Sequence, residues 1–274
     1  MPVETPFPGL DEMIVVVGEA GRRLSEIGAS EGAAGNISAY LGRPVEPRRR
    51  FPVAEAIEFS TPVPALAGGA LLVTGSGRRL RETLRDPAAN LGIVAVAEDG
   101  RGGTLYTSPR RLFDRLTSEF NSHLAVHQDQ VAATGTSFHA VVHAQPLYLT
   151  YLSHVPRYQS EDFLSRRLLR WQPEAVINLP EGIGCIPFLV PGSAELAAAS
   201  AESLRAHRIA VWSKHGVVAR SDRSVKRAVD RVEYAETGAR YECLNLANGE
   251  AGQGLSEEEI RALCRAFGIT QRLF

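Results

Sequence analysis

Apolar positions recur along the chain with two periods, one typical of helices and one typical of strands. The helical period of about 3.6 residues predicts helices over 9–29, 78–84, 117–133, 160–171, 193–207, 222–246 and 256–267. Short apolar or alternating runs predict strands over 35–41, 55–59, 70–73, 90–97, 104–107, 138–145, 175–179, 208–212 and 216–219. Because proline favours the first position of a helix, another helix is expected to open at Pro146.

The order of these elements predicts the fold class. Strands alternate with helices along the whole chain, which favours an α/β domain with a sheet covered by helices on both faces. No internal repeat and no linker long enough to divide the chain is present. We therefore expect one domain spanning residues 1–274.

Composition and charge exclude several classes of protein. The 274 residues are 44% hydrophobic and 22% charged, as in ordinary globular proteins. The net charge is −1, and the run 48–50 is the longest basic one, so nucleic-acid binding is not favoured. Three scattered cysteines argue for a reducing compartment. With no signal peptide in 1–10 and no apolar stretch of about 20 residues, we expect a cytoplasmic protein with no membrane partner.

The strongest candidate for chemistry is a set of polar side chains on two predicted strands. His143 and Gln145 are two residues apart, so a strand places both on one face. His215 opens a second strand-like run and could supply a third ligand from across the sheet. This pattern suggests a three-point metal site in which one position is an amide instead of an imidazole.

The other histidines fit a metal site less well. His123 and His127 have helical i, i+4 spacing, but Leu124 stands where a metalloprotease motif has glutamate, so the helix surface or packing is favoured. His139 faces the same way as His143, yet four strand residues separate them by about 13 Å. Lysine chemistry also has few places to occur, since Lys214 and Lys226 are the two lysines of the chain.

Three short segments have the small polar side chains of anion-binding turns, and the first two also contain glycine. They are 35–38, 74–77 and 117–118, and the last falls at a predicted helix start where amides and the helix dipole favour phosphate. No spacing matches a nucleotide-binding fingerprint. Glu119 directly follows the third segment. It could complement the helix dipole, or serve beside a metal as ligand or general base.

In this order the segments resemble the class II sugar-phosphate aldolases. The likeness runs from about residue 10 to 270 and includes Pro191-Gly192 and the run 214–217. Segments 86–94 and 179–184 look like signatures of the subfamily that acts on L-rhamnulose 1-phosphate. The resemblance implies an α/β/α sandwich around a largely antiparallel sheet, assembled as a homotetramer with its sites at subunit interfaces.

The resemblance also assigns roles to residues. It places a zinc ion, or Mn²⁺ or Co²⁺ in its stead, on His143, Gln145 and His215. It makes Glu119 the catalytic carboxylate and Glu174 a second one contributed by the neighbouring subunit. Contacts to the sugar phosphate would come from Gly35, Asn36, Ser76, Gly77, Thr117 and Ser118. The family has an asparagine three residues before Asn36, where this chain has Ala33.

The implied reaction is cleavage of a ketose 1-phosphate, such as L-rhamnulose 1-phosphate, to dihydroxyacetone phosphate and an aldehyde. Gln145 leaves alternatives open, because its amide oxygen is a weaker zinc ligand than imidazole. The site could keep a metal, favouring a harder ion such as Mn²⁺. It could also serve a related epimerase or dehydratase reaction, or belong to an inactive binding member of the family.

Overall fold

A single nine-stranded sheet organises residues 9–274, the part of the chain that this computed structural model describes. Its strands lie in the order β2-β5-β4-β3-β1-β6-β9-β8-β7. They are β1 (Asn36–Leu41), β2 (Val53–Glu58), β3 (Ala70–Thr74), β4 (Leu91–Val96), β5 (Gly102–Thr107), β6 (Phe138–Ala144), β7 (Gly184–Ile186), β8 (Ile209–Trp212) and β9 (Gly216–Ser221). Every neighbouring pair is antiparallel except β7 and β8. The expected α/β fold with a largely antiparallel sheet is confirmed.

Ten α-helices and two short 3₁₀ helices accompany the sheet in the described residues. The α-helices are α1 (Leu10–Glu26), α2 (Leu80–Thr83), α3 (Pro87–Asn90), α4 (Phe120–Thr134), α5 (Leu147–Leu152), α6 (Glu161–Leu169), α7 (Pro173–Asn178), α8 (Ala194–Ala206), α9 (Val225–Ala247) and α10 (Glu257–Phe267). The 3₁₀ helices are Pro64–Leu66 and Pro156–Gln159. Ser256 and Glu259 form the capping box expected from their spacing at the start of α10.

The alternation of side chains along the central strands divides the core into two layers. Ile37 of β1 and Val142 of β6 belong to the cluster that includes α1, α5, α6 and α9. Tyr40 of β1 and Val141 of β6 face the opposite way, into clusters that include α4 and α8. Since successive strand residues point to opposite faces, Asn36, Ser38, His139 and His143 all lie on the α4 side.

Three of the α-helices and strands differ from the sequence expectations, and one of them is the four-residue helix α3, which no pattern predicted. Residues 175–179 do not form a strand, because the segment belongs to helix α7, which begins at Pro173 and packs against α9 and α10. The β-branched residues there are outweighed by the proline start and by these tertiary contacts. The expected list lacked β7, a three-residue strand parallel to β8.

Boundaries also moved at two helices near the candidate site. The helix expected over 78–84 is reduced to the single turn α2. The helix expected to begin at residue 117 begins at Phe120. Thr117 precedes it because its backbone amide donates to the carbonyl of Thr74 at 3.1 Å, and Leu116 pairs with Gly75. Thr117 and Ser118 are therefore loop residues held against the end of β3.

Among residues 9–274, no helix is long and apolar enough to cross a membrane. The expectation that the first ten residues carry no signal peptide falls mostly outside these residues.

Candidate metal centre

Five adjacent strands bring the candidate site residues to one end of the sheet. β1 begins with Asn36 directly opposite His143 near the end of β6. The end of β6 lies beside the start of β9, where Ala144 pairs with Val217. The turn between β8 and β9 carries His215, and the loop held at the end of β3 places Glu119 at the N-cap of α4. The sheet thus brings together Asn36 and His215, which are 179 positions apart in the chain.

Glu119, His143 and His215 form a compact cluster of metal-binding side chains. Their ligand atoms all lie within 4.8 Å of one another. Oε2 of Glu119 is 3.9 Å from Nε2 of His143, and Oε1 is 3.6 Å from Nε2 of His215. Glu119 and His143 are buried, and the His215 side chain is 13% exposed. One carboxylate and two imidazoles around one point are a donor set suited to a divalent metal.

The protonation of both histidines suits metal binding. Nδ1 of His143 donates to the carbonyl of Val217 at 2.9 Å, which leaves the lone pair of Nε2 facing Glu119. Burial lowers the pKa of His143 more strongly than Glu119 raises it. Burial and the neighbouring His143 lower the pKa of His215 to about 4. Both rings are therefore neutral at pH 7, the form that ligates metals.

Trp212 forms one wall of the cluster. Its ring stacks on His143 with centroids 4.6 Å apart and on His215 at 5.3 Å. The indole Nε1 donates to Oγ of Ser200 at 3.0 Å, which anchors the ring on α8. Stacking restricts the rotation of both imidazoles, so their nitrogens are held toward Glu119 before any ligand arrives.

Gln145, the third expected ligand, follows the last residue of β6. Its backbone amide donates to the carbonyl of Ala29 at 2.8 Å, which fixes its main chain beside the cluster. A Cβ atom added to Gly216 would lie 3.1 Å from both Gln145 Cγ and His143 Cε1. Gly216 therefore admits the Gln145 stem next to the His143 ring, and a larger residue there would displace both.

A hydrogen-bonded chain runs from Glu119 into the core beneath the cluster. The side-chain amide of Asn36 donates to Oε2 of Glu119, and its Oδ1 lies 2.6 Å from Nε2 of His123. Oγ of Ser38 lies 2.6 Å from Nδ1 of His123 and 2.7 Å from Nε2 of His127. His127 Nδ1 then contacts Nδ1 of His139 at 2.8 Å. The i, i+4 pair His123 and His127 is thus completely buried packing, not helix surface.

The carboxylate fixes the direction of every bond in this chain. Glu119 can only accept, so Asn36 donates through its amide nitrogen and accepts from Nε2–H of His123. Burial holds the pKa of His123 and His127 well below the ordinary value, so each ring has one donor and one acceptor. Ser38 must donate to His123 and accept from His127, which accepts from His139. Every donor therefore points toward Glu119.

Sequence reasoning missed this chain because its members lie on three separate elements. The sequence did contain two patterns that point to these residues, one with a strand period and one with a helical period. Asn36 and Ser38 alternate on a strand, while His123 and His127 repeat at one helical turn. Neither period reveals that the two faces meet. The sequence predicts that His139 is too far from His143 to bind the same metal. Its position at the end of the hydrogen-bonded chain farthest from Glu119 agrees with that prediction.

The expected substrate contacts lie at the same end of the sheet. Gly35 has a φ of 81° and packs closely against the backbone of His143. A Cβ atom at this position would lie 2.9 Å from the carbonyl oxygen of His143. Ser76 is half-buried, and Gly77 and Ser118 are exposed. Among residues 9–274, the backbone amides of Gly77 and Ser118 have no hydrogen-bond acceptor. These amides are free to bind an anion. The side chain of Asn36 is already engaged with Glu119.

Glu174 does not join the cluster within one chain. It lies in the first turn of α7, exposed to solvent, on a helix that packs against α9 and α10. The structure therefore places the two expected catalytic carboxylates apart, with Glu119 buried among the imidazoles and Glu174 on the surface.

Comparison with known proteins adds a family to this geometry. Residues 16–243 match the family model described as the class II aldolase and adducin N-terminal domain. Curated relatives include a rhamnulose-1-phosphate aldolase of Enterobacter sp. (strain 638), 33% identical over 216 residues, covering 78% of this chain and 76% of the relative. A protein of the same name from Escherichia coli (strain K12 / DH10B) is 33% identical and covers 78% and 77%.

Solved structures give a similar result. The crystal structure of a sugar-phosphate aldolase from Thermotoga maritima superposes with a TM-score of 0.72 at 29% identity, covering 89% of this chain and 99% of that one. A structure of L-fuculose 1-phosphate aldolase shares the fold at 17% identity, with a TM-score of 0.57, over 97% of this chain and 100% of that one.

Proposed function

We propose that this chain, which belongs to the class II aldolase and adducin family and is one of its aldolases, cleaves a ketose 1-phosphate. The products are dihydroxyacetone phosphate and an aldehyde. L-Rhamnulose 1-phosphate is the proposed substrate, because the curated relatives at 33% identity are named for it. The observation that carries the proposal is the cluster of Glu119, His143 and His215.

We assign the metal to this cluster, with the Gln145 amide oxygen as a further donor. The donor set fits the group: Nε2 of His143 has a free lone pair, and buried Nδ1 of His215 has no hydrogen-bond partner among residues 9–274. Zinc is the proposed ion, with Mn²⁺ or Co²⁺ as alternatives that accept a neutral oxygen donor. When bound, the metal supplies Lewis acidity toward the substrate carbonyl and adjacent hydroxyl.

The protein's own residues supply positioning and proton transfer. In cleavage, Glu119 delivers a proton to the enediolate carbon left when the C–C bond breaks, and in the reverse condensation it takes that proton back. The amide of Asn36 holds the Glu119 carboxylate in place. The free amides of Gly77 and Ser118, with the hydroxyls of Ser76 and Thr117, bind the phosphate at the glycine-lined end of the sheet. Binding there orients the scissile bond toward Glu119.

Glu174 acts, in this proposal, from the neighbouring subunit of a homotetramer, where it polarises the aldehyde end. It takes the hydroxyl proton there in cleavage and protonates the aldehyde oxygen in condensation. Its exposure on α7 supports a role toward another copy. Four large apolar side chains near the site are also exposed by more than half, in α5 and in the loop that contacts Ser118: Leu147, Tyr151, Phe188 and Val190. A subunit interface would cover them. We place the enzyme in the cytoplasm, in keeping with its free cysteines.

Metal analysis and product analysis together test this function. The purified protein should carry about one divalent metal per chain. His143→Ala and His215→Ala should each lose most of that metal, while His154→Ala, which changes an exposed histidine outside the cluster, should keep it. Dihydroxyacetone phosphate should form from L-rhamnulose 1-phosphate. An isomeric ketose phosphate as product would establish an epimerase instead, and a metal-free, inactive protein would establish a binding member.

A further inference from the structure

Five arginines surround a cavity at the opposite end of the sheet from the metal cluster. The cavity has a volume of about 310 Å³ and lies between the ends of β9 and α7, the start of β8 and the first turns of α9. Its arginines are Arg208, Arg220, Arg223, Arg227 and Arg231. Gly216 opens β9 at the metal site, and Arg220 follows it by four residues, about 13 Å along a strand. The two sites are therefore separate.

The positive charges of the cavity are only partly balanced by the protein. Two carboxylates, Asp222 and Asp230, also line it. Asp230 lies 3.9 Å from Arg227, and Glu181 lies 3.6 Å from Arg208. For Arg220, Arg223 and Arg231 no carboxylate of residues 9–274 lies within 4.0 Å of the guanidinium.

Two of these three arginines, Arg220 and Arg231, are also the most buried of the five; Arg223 is exposed. Arg231 is 7% exposed and donates to the carbonyl of Arg220, while Arg220 donates to the carbonyl of Leu204 at 2.6 Å. Burial, followed by the charge of Arg208, lowers the pKa of Arg231 to about 10. Burial likewise lowers the pKa of Arg220. Placing like charges together away from water is costly unless a counter-charge is present.

We propose that this cavity is a binding site for a small phosphate-bearing anion. Planar guanidiniums match the oxygens of a phosphate group through paired hydrogen bonds. The volume falls at the lower end of small-molecule sites, which are typically about 300–1,000 Å³. A net charge of −1 and the absence of a long basic run disfavour an extended polyanion. The first turn of the 23-residue helix α9 adds a favourable dipole.

Hydrogen exchange followed by mass spectrometry tests this site in the intact protein, with inorganic phosphate as the probe at constant ionic strength. Binding suppresses local opening, so peptides covering 218–231 should exchange more slowly with phosphate. The double variant Arg223→Gln/Arg227→Gln changes two exposed side chains. It should raise the phosphate concentration that gives half-maximal protection at least about tenfold, as expected for lost charge-assisted hydrogen bonds. Lys226→Gln removes a charge on the same turn outside the cavity and should leave the protection unchanged.

The readout separates this site from the proposed active site. Phosphate bound near Ser118 should protect peptides covering 115–119 equally in the wild type, the double variant and Lys226→Gln. Equal protection of 218–231 in all three proteins, or no protection there at any phosphate concentration, would overturn the arginine site. A double variant that changes the oligomeric state but not phosphate protection would also overturn it, and would assign the arginines to contacts between copies.

Discussion

The side-chain amide of Asn36 donates a hydrogen bond to the carboxylate of Glu119. Asn36 cannot rotate its amide, because its Oδ1 accepts from Nε2 of His123 at 2.6 Å. The buried chain through Ser38, His127 and His139 has a single direction and therefore fixes which end of the amide faces Glu119. The Glu119 carboxylate is thus held by residues outside the cluster of Glu119, His143 and His215.

Asn36→Asp should lower kcat about 100-fold, the usual effect of removing one preorganised donor at an active site. The variant is nearly isosteric, but it offers an acceptor to Glu119 where the wild type offers a donor. Steady-state kinetics should show this loss with KM changed only a few-fold. Asn248→Asp, a change at the exposed end of α9, is the control and should retain full activity. Equal kcat in both variants would remove Asn36 from the account.

Ser38→Ala should lower both stability and kcat, and its comparison with Ser165→Ala separates the two effects. It leaves the Nε2–H of His127 without an acceptor and Nδ1 of His123 without a donor, which should cost about 1–3 kcal/mol in the free energy of unfolding. It should also lower kcat, because the Asn36 amide is then free to turn. Ser165→Ala loses a buried bond to Ile183 elsewhere and should reduce stability alone. If both variants keep wild-type kcat, the chain is structural only.

The buried histidines should make the protein sensitive to mild acid. Burial holds the pKa of His123 and His127 well below the ordinary value and lowers that of His139 to about 3. The unfolded chain therefore binds protons below pH 6.5 that the folded chain does not. Each such histidine should reduce the free energy of unfolding by about 1.4 kcal/mol per pH unit as the pH falls below about 6.5.

Denaturant titrations between pH 7 and 5 measure this slope. His139→Gln should reduce the dependence of the unfolding free energy on pH by the contribution of one histidine, about 1.4 kcal/mol per pH unit. This holds whatever the stability of the variant at pH 7. His154→Gln changes an exposed histidine and should leave the slope as in the wild type. An unfolding free energy independent of pH over this range would show that the three rings are not neutral and buried together.

Gln145→His should raise zinc affinity at least about tenfold, since an imidazole is a stronger zinc ligand than an amide oxygen. Gly216 leaves room beside the His143 ring for a side chain at this position. Competition with a chromophoric chelator measures the affinity, and Gln159→His, a change distant in sequence on the 3₁₀ helix Pro156–Gln159, is the control. Unchanged zinc affinity would place residue 145 outside the metal site.

The sequence patterns were sufficient to predict the fold and part of the candidate site. His143 and Gln145 could be placed on one strand face because a two-residue period is readable without tertiary information. The strand expected over 175–179 was wrong because a short apolar run does not distinguish strand from helix. Pro173 held the signal for the helix. The bond between Asn36 and Glu119 spans 83 residues, and it depends on how α4 packs on β1, which no local pattern encodes. The arginines of the cavity likewise meet only after β8, β9 and α9 assemble.

The most direct test of the central claim is the rate at which dihydroxyacetone phosphate is released from L-rhamnulose 1-phosphate. This rate is measured before and after chelator treatment, and again after divalent metal is restored. We expect release by the untreated enzyme, its loss with chelator and its recovery with metal. Release that is unaffected by complete metal removal, or no release by the metal-loaded protein, would contradict a metal-dependent aldolase built on Glu119, His143 and His215.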